Sequence, residues 1–439
     1  MAGRKLERLV GRVWWRCTLL LALSLLTVAS AASVTLTLEP RAAGAARAER
    51  PSGFNYGLAM QVALYAAAWE AVGVRALRFP PGNDADNFPL TTDMIDAFRV
   101  QWELLGEPEV WVVANFFEGP EHAAAAARYF ESIGVPVRHW AVGNEPDLYP
   151  QNRMDAAWTP EVYCERLAGF AAALRAVNPD NRITGPAVSG SRPLGEDYLR
   201  AVLFGCGELL DVLTWHVYPT DGTWEDAAAL ATSQGVGEEI RRYRAWLRSP
   251  EHNPRGYLKD TALAVTEFGL SWRTASYRHL EDVTAALWLA DVLGQLAQEG
   301  VAGFYFALQG FGGHGLIDGS GWVRPTYYVF EMLSDFAGTV LDVRADGAVG
   351  TGAPLLTAYA VADDGGAGES GAESVQLLLV NRGDEAVRVT LQGVAGTLEV
   401  NTLDEPTFEA LLGYREAVQA AGAPVAVPAR SVVLVRGAP

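Results

Sequence analysis

The chain has 439 residues, half of them hydrophobic, so it is long enough to bury a large core and to hold more than one domain. Its 52 acidic residues outnumber the 34 basic ones, and the formal net charge of −18 disfavours nucleic acid and anionic membrane surfaces as partners. The 44 aromatic residues (13 Trp, 15 Tyr and 16 Phe) exceed what packing alone usually requires, although most should still lie in the core.

The first 31 residues have the pattern of an export signal. Five basic residues lie ahead of or at the start of an apolar run at 18–28, and the small residues at 29–31 suit cleavage by a peptidase. We therefore expect an exported protein, which is secreted, periplasmic or at the cell surface. The uncharged run is short for a spanning helix, so an uncleaved signal anchor that tethers the protein to a membrane is the alternative.

A strand-like segment at 33–39 and an Ala- and Arg-rich linker at 41–50 follow the signal. We expect residues 32–52 to form an N-terminal strand and linker. The strand should pair with a module at the other end of the chain, which would make that module discontinuous in sequence.

Residues 53–338 alternate short apolar runs with longer helix-like stretches. The eight predicted strands are 54–59, 74–80, 109–117, 137–144, 182–188, 211–218, 262–269 and 303–310. Such short apolar runs are typical of strands buried on both faces. Helix-like stretches, among them 121–134, 160–177 and 280–300, separate the strands. The pattern predicts an α/β fold with a (β/α)8 TIM barrel, and an open doubly wound sheet is the alternative.

From residue 339 to 439 the pattern changes to short strands separated by turn residues. The polar, Gly-rich segment 362–374 indicates a solvated hairpin loop within this part. We expect a C-terminal β-sandwich module that braces the barrel.

Two glutamates come at the ends of predicted barrel strands. Glu145 lies in Asn-Glu-Pro at 144–146 after the fourth strand, and Glu267 ends the seventh. Asn-Glu-Pro alone can be any helix-starting turn, because Pro suits the first helical position. In a barrel, however, the carboxyl ends of the strands hold the chemistry, so both carboxylates should face one cleft. Enzymatic hydrolysis of a glycosidic bond typically requires at least two such carboxylates.

Further polar residues interrupt apolar runs at the same strand ends. Arg78 is costly to bury unless it pairs with a carboxylate, which we expect to be Glu267. Tyr218 could donate a hydrogen bond to the same carboxylate, and His216 could bind a sugar hydroxyl or orient a carboxylate. Asn144 could donate to the sugar 2-hydroxyl. Each of them could instead be an interior polar residue whose hydrogen bonds are satisfied.

Three of these segments resemble the strand-four, strand-six and strand-seven signatures of glycoside hydrolase clan A. They are AVGNEPDLYP at 141–150, VLTWHVYP at 212–219 and AVTEFG at 264–269. The resemblance implies an O-glycosyl hydrolase that acts on carbohydrate by retaining double displacement, with Glu145 as acid/base and Glu267 as nucleophile. By the same resemblance, Asn144, Arg78, His216 and Tyr218 match supporting positions.

The segment LRFPPGNDADN at 77–87 is similar to the loop after strand two in clan members that carry an appended β-sandwich. This branch includes heparanase-like β-glucuronidases, β-xylosidases and α-L-arabinofuranosidases, and the similarity adds Asn83 as a substrate-binding residue. The acidic character of the loop suits a uronate poorly.

The aromatic residues of the predicted barrel mouth depart in part from the clan's pattern. Many members have Trp at the end of strand eight, whereas this chain has GFYFALQGFGG at 303–313, so Phe306 or Gln309 would take that position. Four tryptophans near expected strand ends are candidates for stacking on a sugar ring, although we expect at least two of them to be core residues: Trp140, Trp215, Trp272 and Trp322.

The remaining motifs predict neither a cofactor nor a catalytic metal. GFGGHG at 310–315 formally fits a dinucleotide fingerprint, but no helix opens directly after it. We interpret it as a loop over the barrel mouth, with His314 and Asp318 as possible substrate contacts. The six histidines are scattered, without the spacing of a metal site. Cys164 and Cys206 could form a disulfide or remain two buried thiols.

Two other functions fit the same residues. A carbohydrate-binding barrel without catalysis would keep the fold, and a transglycosylase would share the covalent intermediate but pass it to a sugar hydroxyl instead of water.

Overall fold

The computed structural model describes residues 32–41, 47–57, 60–190, 193–273, 278–310, 313–346, 355–363, 374–409 and 413–438. The predicted export signal at 1–31 and most of the predicted hairpin loop at 362–374 lie outside these residues. Within the described ranges, no helix has both the length and the apolar character that a membrane span requires.

Eight parallel strands close into a ring, which confirms the predicted (β/α)8 barrel and rules out the open doubly wound sheet. In the described residues they are preceded by β1 (Ala32–Pro40) and β2 (Arg47–Ala48). The barrel strands are β3 (Gly53–Asn55), β4 (Ala76–Phe79), β5 (Glu109–Ala114), β6 (Val137–Val142), β7 (Arg182–Val188), β8 (Val212–Val217), β9 (Ala262–Phe268) and β10 (Ala302–Tyr305). Each strand pairs with the next, and β10 closes the ring by pairing with β3.

Helices surround the ring and cover the outer faces of the strands. The longer ones are Ala66–Val72, Thr92–Leu104, Pro120–Ser132, Pro160–Val177, Leu194–Cys206, Gly235–Leu247, Val283–Glu299 and Pro325–Met332. Shorter helices and 3-10 turns are Val62–Tyr65, Asp84–Asn87, Pro146–Leu148, Tyr149–Asn152, Gly207–Leu209, Asp226–Ala231, Thr232–Gln234 and Glu405–Glu409. The N-cap side chains of Thr91, Thr159 and Asp282 accept hydrogen bonds from backbone N–H groups that the first turn leaves without partners.

The second unit, which we call the β-module, is an antiparallel-rich sheet built from both ends of the chain. Its C-terminal strands are β11 (Gly338–Asp346), β12 (Leu356–Asp363), β13 (Ser374–Asn381), β14 (Val387–Gln392), β15 (Ala395–Asp404), β16 (Arg415–Ala420), β17 (Val425–Val427) and β18 (Ser431–Ala438). The strand order is β16-β15-β18-β13-β12-β11-β1-β14-β17. Strand β1 lies between β11, to which it is antiparallel, and β14, to which it is parallel.

The sheet of the β-module folds over a core of its own. Val34 and Leu36 of β1 share one apolar cluster with Leu377 of β13, Val389 of β14 and Val433 of β18. Strands from the two ends of the order therefore face each other across this core, as in a sandwich.

A buried carboxylate joins the β-module to the barrel. Asp291, on the helix Val283–Glu299, accepts hydrogen bonds from Thr357 Oγ1 at 2.5 Å and Tyr359 OH at 2.7 Å, both on β12. It also accepts from Gln234 Nε2 at 2.7 Å and from Ser233 Oγ on the barrel side. Because Asp291 is fully buried, this network fixes the two units against each other through polar contacts that exclude water.

Cys164 and Cys206 form a disulfide, which settles the choice that the sequence left open. The bond joins the helix Pro160–Val177 to the helix Leu194–Cys206 across 42 residues of sequence. These helices precede and follow β7, so the disulfide cross-links two neighbouring helices on one side of the barrel.

Candidate active site

The structure brings the two predicted glutamates together at the carboxyl ends of the strands. Glu145 follows β6, the fourth barrel strand, and Glu267 lies in β9, the seventh. One carboxylate oxygen from each glutamate and one ring nitrogen of His216 all lie within 4.8 Å of one another. The two acids therefore face a single cleft.

The turn after β6 aims Glu145 into this cleft. Glu145 has φ 51° and ψ 54°, a left-handed conformation that few non-glycine residues adopt, and its N–H donates to Ala187 O at 3.0 Å. Gly143, two residues before it, has φ 77°, and a Cβ there would overlap the Tyr149 hydroxyl. The backbone strain at this turn is the kind that surrounding structure maintains at functional sites.

Glu267 is held from two sides in a buried position. Arg78 Nη1 donates to its Oε1 at 2.5 Å, and Tyr218 OH donates to its Oε2 at 3.0 Å. Arg78 also donates to Asn55 Oδ1 at 3.0 Å and to Asn144 Oδ1 at 2.8 Å. Asn55 did not figure in the sequence analysis. The signal that could have found it is a polar residue inside the apolar first strand.

His216 lies between the two carboxylates. Its Nδ1 is 2.9 Å from Glu145 Oε1 and 3.7 Å from Glu267 Oε2, and the ring is fully buried. The hydrogen bond to Glu145 fixes that side chain, so of the two roles expected for His216 the contacts match the one of orienting a carboxylate.

The two glutamates have unlike surroundings. Burial alone would raise the pKa of Glu267, but the charges of His216 and Arg78 and the hydrogen bonds to this carboxylate outweigh it and lower that pKa. Burial raises the pKa of Tyr218 well above its ordinary value, and the negative charges of Glu267 and Glu145 add to the rise. Tyr218 therefore stays a donor. The Glu145 side chain is 15% exposed and that of Glu267 5%, so solvent reaches Glu145 more readily.

Asn144 is positioned by Asp86, a buried carboxylate that the sequence analysis did not single out. Asp86 Oδ2 accepts from Asn144 N–H at 2.8 Å and from Tyr149 OH at 2.5 Å, while Oδ1 accepts from Phe116 N–H at 2.9 Å. Burial raises the pKa of Asp86, although these hydrogen bonds lower it in part. Asn83, the other predicted binding residue of this loop, is exposed and accepts from Asn144 Nδ2 at 3.4 Å.

Phe306, directly after β10, takes the strand-eight position beside the carboxylates. Its ring meets that of Tyr218 edge-on at 6.5 Å and that of His314 at 5.4 Å. Gln309, the other candidate, is buried and accepts a hydrogen bond from Gln61 N–H at 2.8 Å. Burial lowers the pKa of His314 to about 4, so this ring is neutral near pH 7.

The candidate tryptophans divide into two groups. Trp140 and Trp215 are fully buried core residues and cannot stack on a sugar, which confirms the expectation that at least two of the four lie in the core. Trp272 and Trp322 are half-exposed, and Trp224, which the sequence analysis passed over, is exposed to a similar degree. Among the predicted loop contacts, Asp318 accepts hydrogen bonds within its own turn, from Ser320 and Trp322 backbone N–H groups.

Glu145, His216 and Glu267 could in principle offer three ligand atoms to a cation. The guanidinium of Arg78 already neutralises Glu267, however, and His216 Nδ1 is hydrogen-bonded to Glu145. The arrangement therefore suits nucleophilic attack by one carboxylate and proton transfer by the other.

Comparison with known proteins gives no match to a family model and none to a curated protein. Solved structures do match. The α-L-arabinofuranosidase from Thermotoga maritima aligns with a TM-score of 0.72 at 16% identity, over 92% of this chain and 100% of that one. A family 51 α-L-arabinofuranosidase from Bifidobacterium longum gives 0.72 at 18% identity, over 94% and 100%. A Paenibacillus polymyxa xyloglucanase from glycoside hydrolase family 44 gives 0.66 at 13% identity, over 93% and 100%.

These alignments span both the barrel and the β-module. The chain therefore has the two-unit fold of these glycoside hydrolases, as the resemblance to clan A implied. At such low identity the alignments establish the fold, and what the site does is argued from its own residues.

Proposed function

We propose that this protein is a retaining glycoside hydrolase in which Glu267 is the nucleophile and Glu145 the general acid/base. The observation that carries the proposal is a pair of carboxylates whose oxygens approach within 4.8 Å, in unlike surroundings. Retaining enzymes hold their two carboxyl groups about 5–5.5 Å apart, whereas inverting enzymes need roughly 6.5–9.5 Å to admit a water molecule.

The surroundings of Glu267 suit a nucleophile. The lowered pKa keeps its carboxylate ionised at neutral pH, ready to attack the anomeric carbon and form a glycosyl-enzyme. Arg78 and Tyr218 bind one carboxylate oxygen each, which restricts the rotation of the side chain. As the ester forms and the negative charge of Glu267 is consumed, the Tyr218 hydroxyl remains as a neutral donor.

The surroundings of Glu145 suit proton transfer. Its side chain is more exposed than that of Glu267 and shares one hydrogen bond with His216 Nδ1, so leaving-group oxygen and water can both reach it. It would donate a proton to the departing oxygen in the first step. In the second step it would remove a proton from the water that cleaves the ester. Asn144 Nδ2 is placed next to this acid and would donate to the sugar 2-hydroxyl.

The test is release of aryl alcohol from a panel of glycosides: arabinofuranoside, xyloside, glucoside, galactoside and glucuronide. The panel includes the sugars suggested by the names of the structural relatives. Wild type should cleave at least one of them, and Glu267→Gln should lose activity by several orders of magnitude. Glu331→Gln is a matched control, because Glu331 is a half-buried glutamate on the helix Pro325–Met332, outside the cleft.

The role of Glu145 as general acid/base is tested with substrates that differ in their leaving groups. Glu145→Gln should cleave substrates with acidic phenol leaving groups nearly normally in the first step, because these need little protonation, and should accumulate glycosyl-enzyme. Added azide should accelerate release from this variant. Wild-type activity in both the Glu145 and the Glu267 variants would overturn the assignment.

Two other outcomes separate the alternatives. Transfer of the sugar to an added acceptor in place of water identifies a transglycosylase. Tight binding of glycans by wild type without any turnover identifies a binding protein.

We also propose that the protein acts outside the reducing cytosol. The disulfide between Cys164 and Cys206 supports this, because such bonds persist in oxidising compartments, and so does the export pattern of residues 1–31. Fractionation of cells that produce the full chain tests it. Recovery of the protein in the cytosol with free thiols would contradict the proposal.

A further inference from the structure

Three tryptophans in the described part of the chain are exposed, and all three follow barrel strands at the end that holds the carboxylates. Trp224 (44% exposed) follows β8, Trp272 (52%) follows β9 and Trp322 (47%) follows β10. Large exposed aromatic side chains are informative where they cluster, because they mark surfaces that bind something.

The loops that carry Trp224 and Trp272 run side by side. Thr220 forms a parallel bridge with Ser271, its N–H donates to Leu270 O at 3.1 Å, and Trp272 N–H donates to Thr220 O at 3.2 Å. These bonds continue the pairing of β8 with β9 beyond the barrel. Trp272 therefore lies at the end of this extended β8–β9 ladder and Trp224 follows Thr220 by four residues, so the two tryptophans are on neighbouring loops at the end of the barrel that holds the carboxylates.

Both tryptophans come shortly after residues of the candidate active site. Trp272 is five residues past Glu267, and Trp224 is six residues past Tyr218. A chain spans at most about 3.6 Å per residue, so the Cα of each tryptophan lies no more than roughly 18–22 Å from the Cα of the site residue that precedes it. This upper limit keeps both tryptophans within reach of one chain-like ligand that enters the cleft.

Local contacts hold both positions in place. The guanidinium of Arg273 lies 4.3 Å from the centroid of the Trp272 ring and covers part of it, yet the residue remains half-exposed. Asp221 Oδ1 accepts from Thr223 N–H at 3.1 Å and Thr223 Oγ1 at 2.6 Å, which fixes the turn directly before Trp224. Aromatic rings that are already ordered lose less entropy when they bind.

We propose that Trp224 and Trp272 form an aromatic platform for a neutral glycan chain, next to the bond that is cleaved. This rests on the proposed function and specifies its substrate class, which is an oligo- or polysaccharide rather than a small glycoside. Flat aromatic faces bind the apolar faces of sugar rings without needing charge on the ligand. The strongly acidic chain favours an uncharged partner over an anionic one.

Trp322 provides a matched control. It is exposed to the same degree, but its ring meets Phe408 of the β-module edge-on at 6.1 Å, and its N–H donates to Asp318 in a separate turn. Removing it changes a comparable area of aromatic surface outside the β8–β9 ladder.

The experiment compares Trp224→Ala, Trp272→Ala and Trp322→Ala on two kinds of substrate. One is the aryl monoglycoside that wild type cleaves, and the others are soluble arabinan, xylan and xyloglucan. The ratio of kcat/KM on the preferred polysaccharide to that on the monoglycoside should fall roughly tenfold in each platform variant, which corresponds to about 1.4 kcal/mol. The ratio should hold in Trp322→Ala. An unchanged ratio in both platform variants, or an equal fall in all three, overturns the proposal.

A binding measurement keeps this test separate from the test of catalysis. Affinity electrophoresis of Glu267→Gln through gels containing each polysaccharide should show retardation, which Trp224→Ala and Trp272→Ala in the same background should reduce. If Glu267→Gln retains full turnover, the proposed function fails while the binding result still decides the platform. If sedimentation shows that the platform tryptophans instead hold two copies of the chain together, the platform is overturned.

Discussion

The contact between Arg78 and Glu267 predicts a large coupling energy between these two residues. Arg78 Nη1 lies 2.5 Å from Glu267 Oε1, with side-chain exposures of 1% and 5%. Replacing Arg78 by Met keeps most of the volume but leaves the Glu267 carboxylate buried without its guanidinium partner, with Tyr218 and His216 beside it. Breaking a buried ion pair from one side costs about 3–5 kcal/mol, because the remaining charge has neither water nor partner. We expect Arg78→Met to lower the free energy of unfolding by that amount.

A double-mutant cycle isolates the coupling energy between Arg78 and Glu267. Arg78→Met also loses hydrogen bonds to Asn55 and Asn144, but the same loss occurs in Arg78→Met/Glu267→Gln and cancels in the cycle. The neutral amide introduced by Glu267→Gln does not need a cation, so the double variant should recover much of the stability. Urea unfolding of the four proteins at pH 7 should give a coupling energy of about 3 kcal/mol. A coupling below about 0.5 kcal/mol would refute the argument, since it would mean that solvent screens the pair.

The same contact fixes the direction of a pH effect. The pKa of Glu267 is lowered in the folded protein, so its ionised form adds stability above the pKa of an unfolded glutamate. That stability is lost as the pH falls through the folded pKa. Without Arg78 the carboxylate takes up its proton at higher pH, and the acidic limb of the activity profile should move upward. An acidic limb in the same place in Arg78→Met would show that Arg78 does not set this ionisation.

Three further changes have defined outcomes. Asp86→Asn should lower kcat at least about tenfold, because the amide nitrogen cannot accept either the Phe116 N–H or the Asn144 N–H and Tyr149 hydroxyl, so the residue that anchors Asn144 is itself displaced; the loss should shrink on a 2-deoxy glycoside that lacks the hydroxyl Asn144 would bind. Replacing Cys164 and Cys206 together by Ser should lower the free energy of unfolding by up to about 4 kcal/mol, from the chain entropy of a loop closed across 42 residues, as measured by denaturant titration. Asp291→Ala should leave two buried donors, the hydroxyls of Ser233 and Tyr359, without their acceptor at about 1–3 kcal/mol each, together with the half-buried donors of Gln234 and Thr357, and limited proteolysis should then release the β-module from the barrel; an intact, resistant chain would contradict this.

The fold and the central pair of acids were accessible from the sequence because their signals are local. Short apolar runs predict strands buried on both faces, and a charged residue such as Arg78 inside one of them needs a partner. Strand number and the geometry of a barrel then place Glu145 and Glu267 at one end of it. The boundaries were less accessible: the first strand ends at Asn55 rather than 59, and the eighth at Tyr305 rather than 310.

The supporting network was not accessible because its members meet only in three dimensions. Asp86 lies in an acidic loop whose charges look solvated, yet the fold buries it against the backbone after β5 and β6. Asp291 lies on a helix that looks merely apolar until the β-module covers it. The sequence places Trp140 and Trp224 in or after a strand, but it does not give the direction of their side chains. That direction makes Trp140 a core residue and Trp224 a surface residue.

The position of β1 makes the barrel an insertion within the β-module. The chain leaves the sheet after β2 and returns at β11, and these two strands pair with each other, Ala48 opposite Gly338. The pairing of β2 with β11 therefore holds the two ends of the barrel segment at the spacing of adjacent strands, without a covalent bond between them. During synthesis β1 is completed long before β11 and β14 exist, so its backbone donors and acceptors stay unpaired while the whole barrel is made. Strand β1, which is translated before the barrel, is therefore among the last to be fixed in place, and until β11 pairs with β2 the two ends of the barrel segment are not held together.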